Sequence, residues 1–259
     1  MELRLYQVDA FAERLFAGNP AAVCPLEAWL PDATMQAIAR ENNLSETVFF
    51  APDPEGLRIR WFTPGCEVDL CGHATLAAAW VYFRHLAPTE DSVRFNSRSG
   101  PLSVSRDGER LTLDFPAARL EPVAVPALLE SALGAKPLEV YAADDWLVLL
   151  DSAERVRRLQ PSMALLKQLE RRGVIVTARG DDCDFVSRFF APRVGVDEDP
   201  VTGSAHTLLT PYWALRLGRL QLHARQLSAR GGELHCELKG ERVLIGGSVV
   251  PYLSGTITI

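Results

Sequence analysis

Arg60-Trp61-Phe62-Thr63-Pro64 runs through the acidic stretch Glu67-Val68-Asp69-Leu70-Cys71 into Gly72-His73-Ala74, where an Ala- and Leu-rich segment begins. The same succession returns half a chain later. Arg188-Phe189-Phe190-Ala191-Pro192 leads through Asp197-Glu198-Asp199-Pro200-Val201 to Gly203-Ser204-Ala205 and a second apolar segment. Self-similarity over that distance reads as a duplication. It predicts two similar domains, each with a strand, an acidic loop and a central helix, whose helix N-termini are equivalent points. A chain of 259 residues, at about 150 residues per domain, falls between one domain and two, and the repeat decides for two.

Outward from the repeat, strand and helix patterns mix. Leu3, Leu5, Gln7 and Asp9 alternate with Arg4, Tyr6 and Val8 as in a short strand, and Gly18-Asn19-Pro20 makes a loop before Ala21-Ala22-Val23-Cys24. Pro31-Asp32 opens a helix with Met35, Ile38 and Ala39 on one face, and Asn42-Asn43 closes it. Thr47-Val48-Phe49-Phe50 reads as a strand with Glu46 at its entrance, and Ala74 to Phe83 reads as a largely buried helix. Pro116, Pro122 and Pro126 punctuate a stretch without periodicity, which places the domain boundary at 116/117. Beyond it the pattern predicts a short helix ending at Gly134, strands at Trp146–Leu150 and Val174–Thr177, and a helix from about Ser162 to Arg172 closed by Gly173. The second domain then occupies 117–249. The fold class is α+β.

A net charge of −6, with no run of Lys or Arg longer than two, removes the footprint that a phosphate backbone needs, so nucleic acid is not an expected partner. Apolar runs are a few residues long, far below the roughly 20 that cross a bilayer, and Met1-Glu2-Leu3-Arg4-Leu5 carries no signal-peptide pattern. A cytoplasmic address is expected. Cys24, Cys66, Cys71, Cys183 and Cys236 match no zinc spacing and read as free thiols.

A helix start leaves unpaired backbone N–H groups and partial positive charge, so Gly72-His73 and Gly203-Ser204 are ready anion sites, and glycine admits close approach. If the domains face each other, the two starts converge on one cleft. The dipole at a helix start disfavours imidazolium, which predicts a neutral His73. Glu67, Asp69, Cys71 and His73 alternate as metal ligands on an extended segment would, but Gly72 breaks the alternation and no second His cluster follows, so no metal is expected. In Asp199-Pro200-Val201-Thr202-Gly203-Ser204-Ala205-His206, the residues Asp199 and Thr202 read as capping oxygens, which accounts for Thr202 but leaves Asp199, Ser204 and His206 without a need. A serine nucleophile is the rival reading, but Ser204 and His206 are two apart on a helix and point to different faces. Glu46, beside Phe49 and Phe50, is a candidate general base or acid.

Gly18-Asn19-Pro20, Asn43-Leu44-Ser45-Glu46-Thr47, Leu70-Cys71-Gly72-His73-Ala74-Thr75, Ser187-Arg188-Phe189-Phe190-Ala191-Pro192 and Asp199-Pro200-Val201-Thr202-Gly203-Ser204-Ala205 together resemble the PhzF-like, phenazine biosynthesis protein, family in their order. The resemblance implies the diaminopimelate epimerase fold: two α+β domains, each a curved sheet wrapped around a central helix, with a cleft between them. It also implies that residues 250–259 return to complete the first domain, 1–116. It implies no metal or organic cofactor, a homodimer, and a glutamate that shuttles a proton with a histidine, an aspartate and a serine around the substrate, which match Glu46, His73, Asp199 and Ser204. Diaminopimelate epimerase uses a pair of cysteines instead. Here Cys71 lies near the first such position, but Pro200 and Val201 stand where the second thiol would be, so a two-thiol racemase is not expected and a lone-thiolate role for Cys71 stays open.

The reading that follows is a cofactor-independent isomerase or epimerase acting on a small carboxylate-bearing substrate. Glu46, His73 and Asp199 are its catalytic candidates, and Gly18, Asn19, Gly72, Gly203 and Ser204 bind the substrate. The alternative is a non-catalytic homologue that uses the cleft as a small-molecule receptor.

Overall fold

In the computed structural model, which describes residues 1–259, the segment after Gly72 is a helix hydrophobic on every side, as a helix enclosed by a sheet must be. Its surroundings belong to the first of two units into which the chain divides, Met1–Asp114 with Gly246–Ile259; the second is Phe115–Ile245.

The first unit runs β1 (Glu2–Ala10), β2 (Asn19–Pro25), α1 (Asp32–Asn42), β3 (Glu46–Asp53), β4 (Gly56–Phe62), β5 (Glu67–Val68), α2 (Gly72–Val81), β6 (Ser92–Ser97), β7 (Gly100–Asp107) and β8 (Arg110–Pro116). The C-terminal strand Val249–Thr258 pairs antiparallel with β1, and the sheet continues from β1 through β2, β3, β4, β6 and β7 to β8. The β2–β3 and β4–β6 pairs are parallel and the others antiparallel. In β3, Val48 to Ala51 are all buried, which explains the continuous apolar run: the sheet is covered on both faces. Phe49 and Ala51 meet α1 through Met35, Ile38 and Ala39.

On the inner side α2 packs against β1, β2, β3 and the C-terminal strand. Ala74, Ala77, Ala78 and Ala79 keep it narrow enough to fit, and all four are buried. Enlarging Ala78 to Leu in so full an interior costs about 1–3 kcal/mol. Burial of Leu76 contributes about 1.5–3 kcal/mol. The helix ends in one π-turn, Tyr82–Leu86.

The second unit repeats this order. It contains β9 (Glu121–Pro122), α3 (Leu129–Leu133), β10 (Glu139–Ala142), β11 (Trp146–Leu149), α4 (Ala153–Arg158), α5 (Met163–Leu166), β12 (Val174–Arg179), β13 (Phe185–Ala191), β14 (Val196–Asp199), α6 (Gly203–Leu217), β15 (Gln221–Gln226), β16 (Gly232–Lys239) and β17 (Arg242–Gly247). β10 pairs antiparallel with β11, β11 parallel with β12, β12 antiparallel with β13, β13 parallel with β15, and β15 antiparallel with β16. That is the succession β1, β2, β3, β4, β6, β7 with the same strand directions. A duplicated half accounts for it directly.

The repeat extends to side chains. Arg60 grips Glu67 through both carboxylate oxygens at 2.7 and 2.8 Å, and Arg188 grips Glu198 at 2.7 and 2.9 Å. Each guanidinium also lies over the aromatic ring two residues on, Phe62 or Phe190. The acidic loops are therefore clamped to their strands by forked ion pairs.

One expected element is corrected. The helix foreseen over Ser162–Arg172 is the single turn Met163–Leu166. Ser162 caps it by accepting from the Leu165 N–H, but Arg171 and Arg172 leave the helical path, the first donating to the Ala143 carbonyl and the second to Asp145. Those tertiary partners outweigh the helix propensity of the intervening residues.

Candidate active site

Glu46 begins β3, where it pairs in register with Ala21 of the parallel neighbour β2. The turn before it is set by Asn43, which adopts the left-handed conformation at φ 48° and closes α1, and by Asn42, which donates to Thr47 Oγ1 at 3.0 Å. His73 occupies the second position of α2, after Cys71 in extended conformation at the N-cap. These two chain turns bring Glu46 Oε2 within 3.1 Å of His73 Nε2. Both atoms are buried, and neither has the geometry of a hydrogen bond to any other group.

The far edge of the imidazole is held by others. Asn19 Nδ2 lies 3.1 Å from His73 Nδ1, and Ser45 Oγ donates to Asn19 Oδ1 at 3.2 Å. Cys71 Sγ lies 3.5 Å from the same ring nitrogen. Asn19 is wholly buried, so its amide serves the ring. Gly18 makes that placement feasible: its φ is +68°, and a Cβ there would sit 2.3 Å from the Ala10 carbonyl oxygen.

Burial opposes charge on His73, whereas Cys71 Sγ at 3.5 Å and the Glu46 carboxylate at 3.1 Å favour it and raise the ring well above the ordinary histidine value. The helix dipole works against that shift, and the carboxylate at 3.1 Å works for it. Burial, aided by Glu46, pushes the Cys71 thiol up to about 11, so it rests as a thiol at neutral pH. Of the alternating set considered for a metal, Glu67 is committed to Arg60 and Arg98, and the Asp69 side chain is 75% exposed. The donors that do converge are Glu46, Cys71 and His73.

In the second unit the corresponding helix start is built differently. Thr202 is the N-cap of α6, but its hydroxyl makes no capping bond; it donates to Asp199 Oδ2 at 2.6 Å. Gln226, buried at the end of β15, accepts from the Thr202 N–H at 2.9 Å and donates to the Asp199 carbonyl at 2.8 Å. Gly203 and Ser204 follow as the first turn, and Arg172 donates to Ser204 Oγ at 3.1 Å. Arg172 also grips Asp145, whose side chain is fully buried, at 3.0 and 2.5 Å. His206 takes no part: its Nδ1–H donates to the Thr202 carbonyl at 2.8 Å, and burial pushes it down to about 4. Ser204 has no base beside it, which removes the nucleophile reading.

Strand register shows how the two starts diverged. Thr47 faces Phe62 and Val174 faces Phe190, so Glu46 aligns with Gly173 and Ser45 with Arg172. His73 aligns with Ser204. Where the first unit has a carboxylate and an imidazole, the second has a glycine, a guanidinium and a hydroxyl. A Cβ at Gly173 would lie 2.6 Å from the Phe189 ring, so no carboxylate fits there. Ser45, Asp145, Arg172 and Gln226 escape a reading of the sequence; of these, Ser45 and Arg172 could be found by carrying the repeat alignment back to the start of β3 and β12. A cavity of about 450 Å³ in the first unit, lined by Tyr6, Trp80, Arg84, His85 and Tyr252, includes none of the site residues.

The family described as phenazine biosynthesis-like protein, PhzC-PhzF, matches residues 8–255. A Pseudomonas aeruginosa protein named an uncharacterized isomerase is 57% identical over 257 residues, covering 99% of both chains. A crystal structure of an Enterococcus faecalis phenazine biosynthesis protein of the PhzF family superposes with a TM-score of 0.98 at 48% identity, covering 100% of each chain. A hydroxyproline epimerase from Agrobacterium vitis shares the fold, with a TM-score of 0.62 at 11% identity over 99% of this chain and 92% of that one. The α+β architecture of the epimerase-like class is thus established.

Proposed function

The chain belongs to the phenazine biosynthesis-like family, and we propose that it is an isomerase that moves a proton on a small carboxylate-bearing substrate, with Glu46 as the general base and acid. The observation that carries this reading is the buried pair Glu46 Oε2 and His73 Nε2, 3.1 Å apart and without other hydrogen-bond partners. A buried carboxylate and imidazole held this close, with no other hydrogen-bond partner at the facing atoms, are suited to passing a proton to and from a bound substrate.

In the proposed reaction a Glu46 oxygen accepts a proton from a carbon acidified by an adjacent carboxylate or conjugated system. The electron pair left on the substrate faces His73 and the backbone N–H end of α2, which stabilise it. Glu46 then returns the proton to another carbon, or to the same one. Asn19 and Ser45 keep the ring aligned and are positioning residues. Asp199, Gly203 and Ser204 are assigned to substrate binding, with Arg172 as the cation that recognises a carboxylate. A positioned general base supplies about 10²–10⁴-fold, and fixed N–H donors supply much of the remainder.

Incubating candidate amino and cyclic acids with the protein in D₂O tests the proposal. Carbon-bound deuterium is the expected result. Binding without any uptake across substrates that bind would instead support a receptor.

A further inference from the structure

The side chains of Arg84 and Glu109 have neither an ion pair nor a hydrogen bond within the chain, yet both line the cavity of about 450 Å³ in the first unit. Its volume is that of a small-molecule pocket, about 300–1,000 Å³. Aromatic rings line it as well. Tyr6 stacks on His85 at 4.4 Å between centroids, Trp80 meets the same imidazole edge-on at 5.8 Å, and Tyr252, 52% exposed, borders the same space. Two irregularities of the backbone place these rings. Residues five apart on an α-helix stand about 140° apart around it, but the π-turn Tyr82–Leu86 at the end of α2 is wider and brings His85 round to Trp80. On the C-terminal strand, Leu253 faces Gln7 and Pro251 faces Val8, so Tyr252 is the extra residue of a β-bulge, a device that re-aims a side chain. Irregularities of both kinds gather at functional sites, and here both supply one cavity.

We propose that this cavity binds an aromatic α-amino acid, with its ring against Trp80 and Tyr252, its carboxylate on the Arg84 guanidinium and its ammonium facing Glu109. A ligand that carries both charges answers both unpaired side chains, whereas an aromatic carboxylate alone would meet Glu109 with like charge, and an aromatic amine would meet Arg84 in the same way. Arg84 suits the carboxylate because a guanidinium offers parallel N–H groups to its two oxygens. His85 adds no charge. Partial burial, with Arg84 beside it, holds that ring below the ordinary histidine value, so it is a neutral aromatic surface at neutral pH. The rings already paired in the wall favour a flat π-system over an aliphatic side chain. Every lining residue belongs to the first unit and none to the proposed proton-transfer site, so the binding does not rest on the isomerase reading.

The test is an NMR titration of the isotope-labelled full chain with L-phenylalanine. The expected result is a saturable shift of the Trp80 indole N–H and of the Arg84 and Tyr252 amides. L-Leucine, hydrocinnamate and phenethylamine, which lack in turn the ring, the ammonium and the carboxylate, should bind at least about tenfold more weakly. Arg84→Met and Glu109→Gln should each cost a similar factor, the worth of one charged hydrogen bond. Both side chains are exposed, so neither change threatens the fold, and circular dichroism confirms it. Absence of saturation up to about 10 mM, L-leucine binding as tightly, or full affinity in either variant overturns the proposal. Shifts confined to residues 72–75 and indifferent to both variants would place the amino acid at the start of α2 and overturn it equally. Movement of the Trp80 and Tyr252 signals with protein concentration alone, together with sedimentation as a dimer that Tyr252→Ser dissociates, would assign the cavity to a second copy of the chain instead.

Discussion

Glu46 Oε2 and His73 Nε2 stand 3.1 Å apart at a point where the first residue of β3 meets the second residue of α2. Two backbone features frame the pair: the left-handed turn at Asn43 before Glu46, and the positive-φ Gly18 before Asn19, which meets the far edge of the ring. The pair is the centre of the account.

NMR titration of the His73 ring should give a value well above the ordinary one for histidine, and Glu46→Gln should bring it down because burial then acts with less opposition. A group raised on folding stabilises the native state fully below its unfolded value, about 6.5, and that contribution is lost as pH rises through the folded value. The wild type should therefore lose stability on the alkaline side relative to Glu46→Gln. Equal His73 titration in the two proteins would contradict this.

His206 acts in the opposite sense. Burial pushes it down to about 4, so the folded state resists protonation that the unfolded chain accepts from about pH 6.5 downward. Thermal midpoints should fall as pH drops through that window, and His206→Asn should flatten the slope. A slope unchanged in the variant would assign the acid sensitivity elsewhere.

Asn19→Ala removes the partner at His73 Nδ1 and leaves Ser45 Oγ without its acceptor. A stability cost of about 1–3 kcal/mol is expected for buried polar groups left unpaired. As Asn19 acts through the ring, kcat should fall more than KM rises, and the His73 titration should shift. A change confined to KM would make it a substrate contact instead.

Gly18→Ala should be more severe than an ordinary surface change. The strained conformation and the collision with the Ala10 carbonyl oxygen require the β1–β2 connection to move, and strain of this kind costs about 1–3 kcal/mol. Denaturant unfolding reads it directly, and a cost below about 0.5 kcal/mol, the range of ordinary surface substitutions, would refute the strain argument.

Arg172→Met exposes a distinction between binding and folding. It strips the fully buried Asp145 of its fork, and a buried acceptor left unpaired costs about 1–3 kcal/mol. The double variant Asp145→Asn with Arg172→Met should recover much of that stability yet still show a raised KM. Recovery of normal KM in the double variant would remove Arg172 from substrate binding.

The fold was legible because duplication writes itself twice: Arg60 and Arg188 each precede an aromatic pair and a proline, and each clamps a glutamate in the following loop. The buried helix α2 was equally plain from its alanines. The region after Ser162 was not, since Arg171 and Arg172 read as helix formers and only the positions of Ala143 and Asp145 draw them away. At the site, Glu46, Cys71 and His73 carried recognisable chemistry. The approach of Glu46 to His73 was not legible, because helix position is local in sequence whereas Glu46 arrives from another strand. Gln226 left no signal, being a polar residue at a strand end whose importance lies in binding the Asp199–Thr202 turn.

Deuterium exchange with Glu46→Gln tests the central claim most directly. For a substrate that the wild type labels at carbon in D₂O, the variant should retain the fold and bind the substrate, with exchange slowed by about 10²–10⁴-fold. Exchange at the wild-type rate in the folded Gln variant would contradict the assignment of Glu46 as the proton carrier.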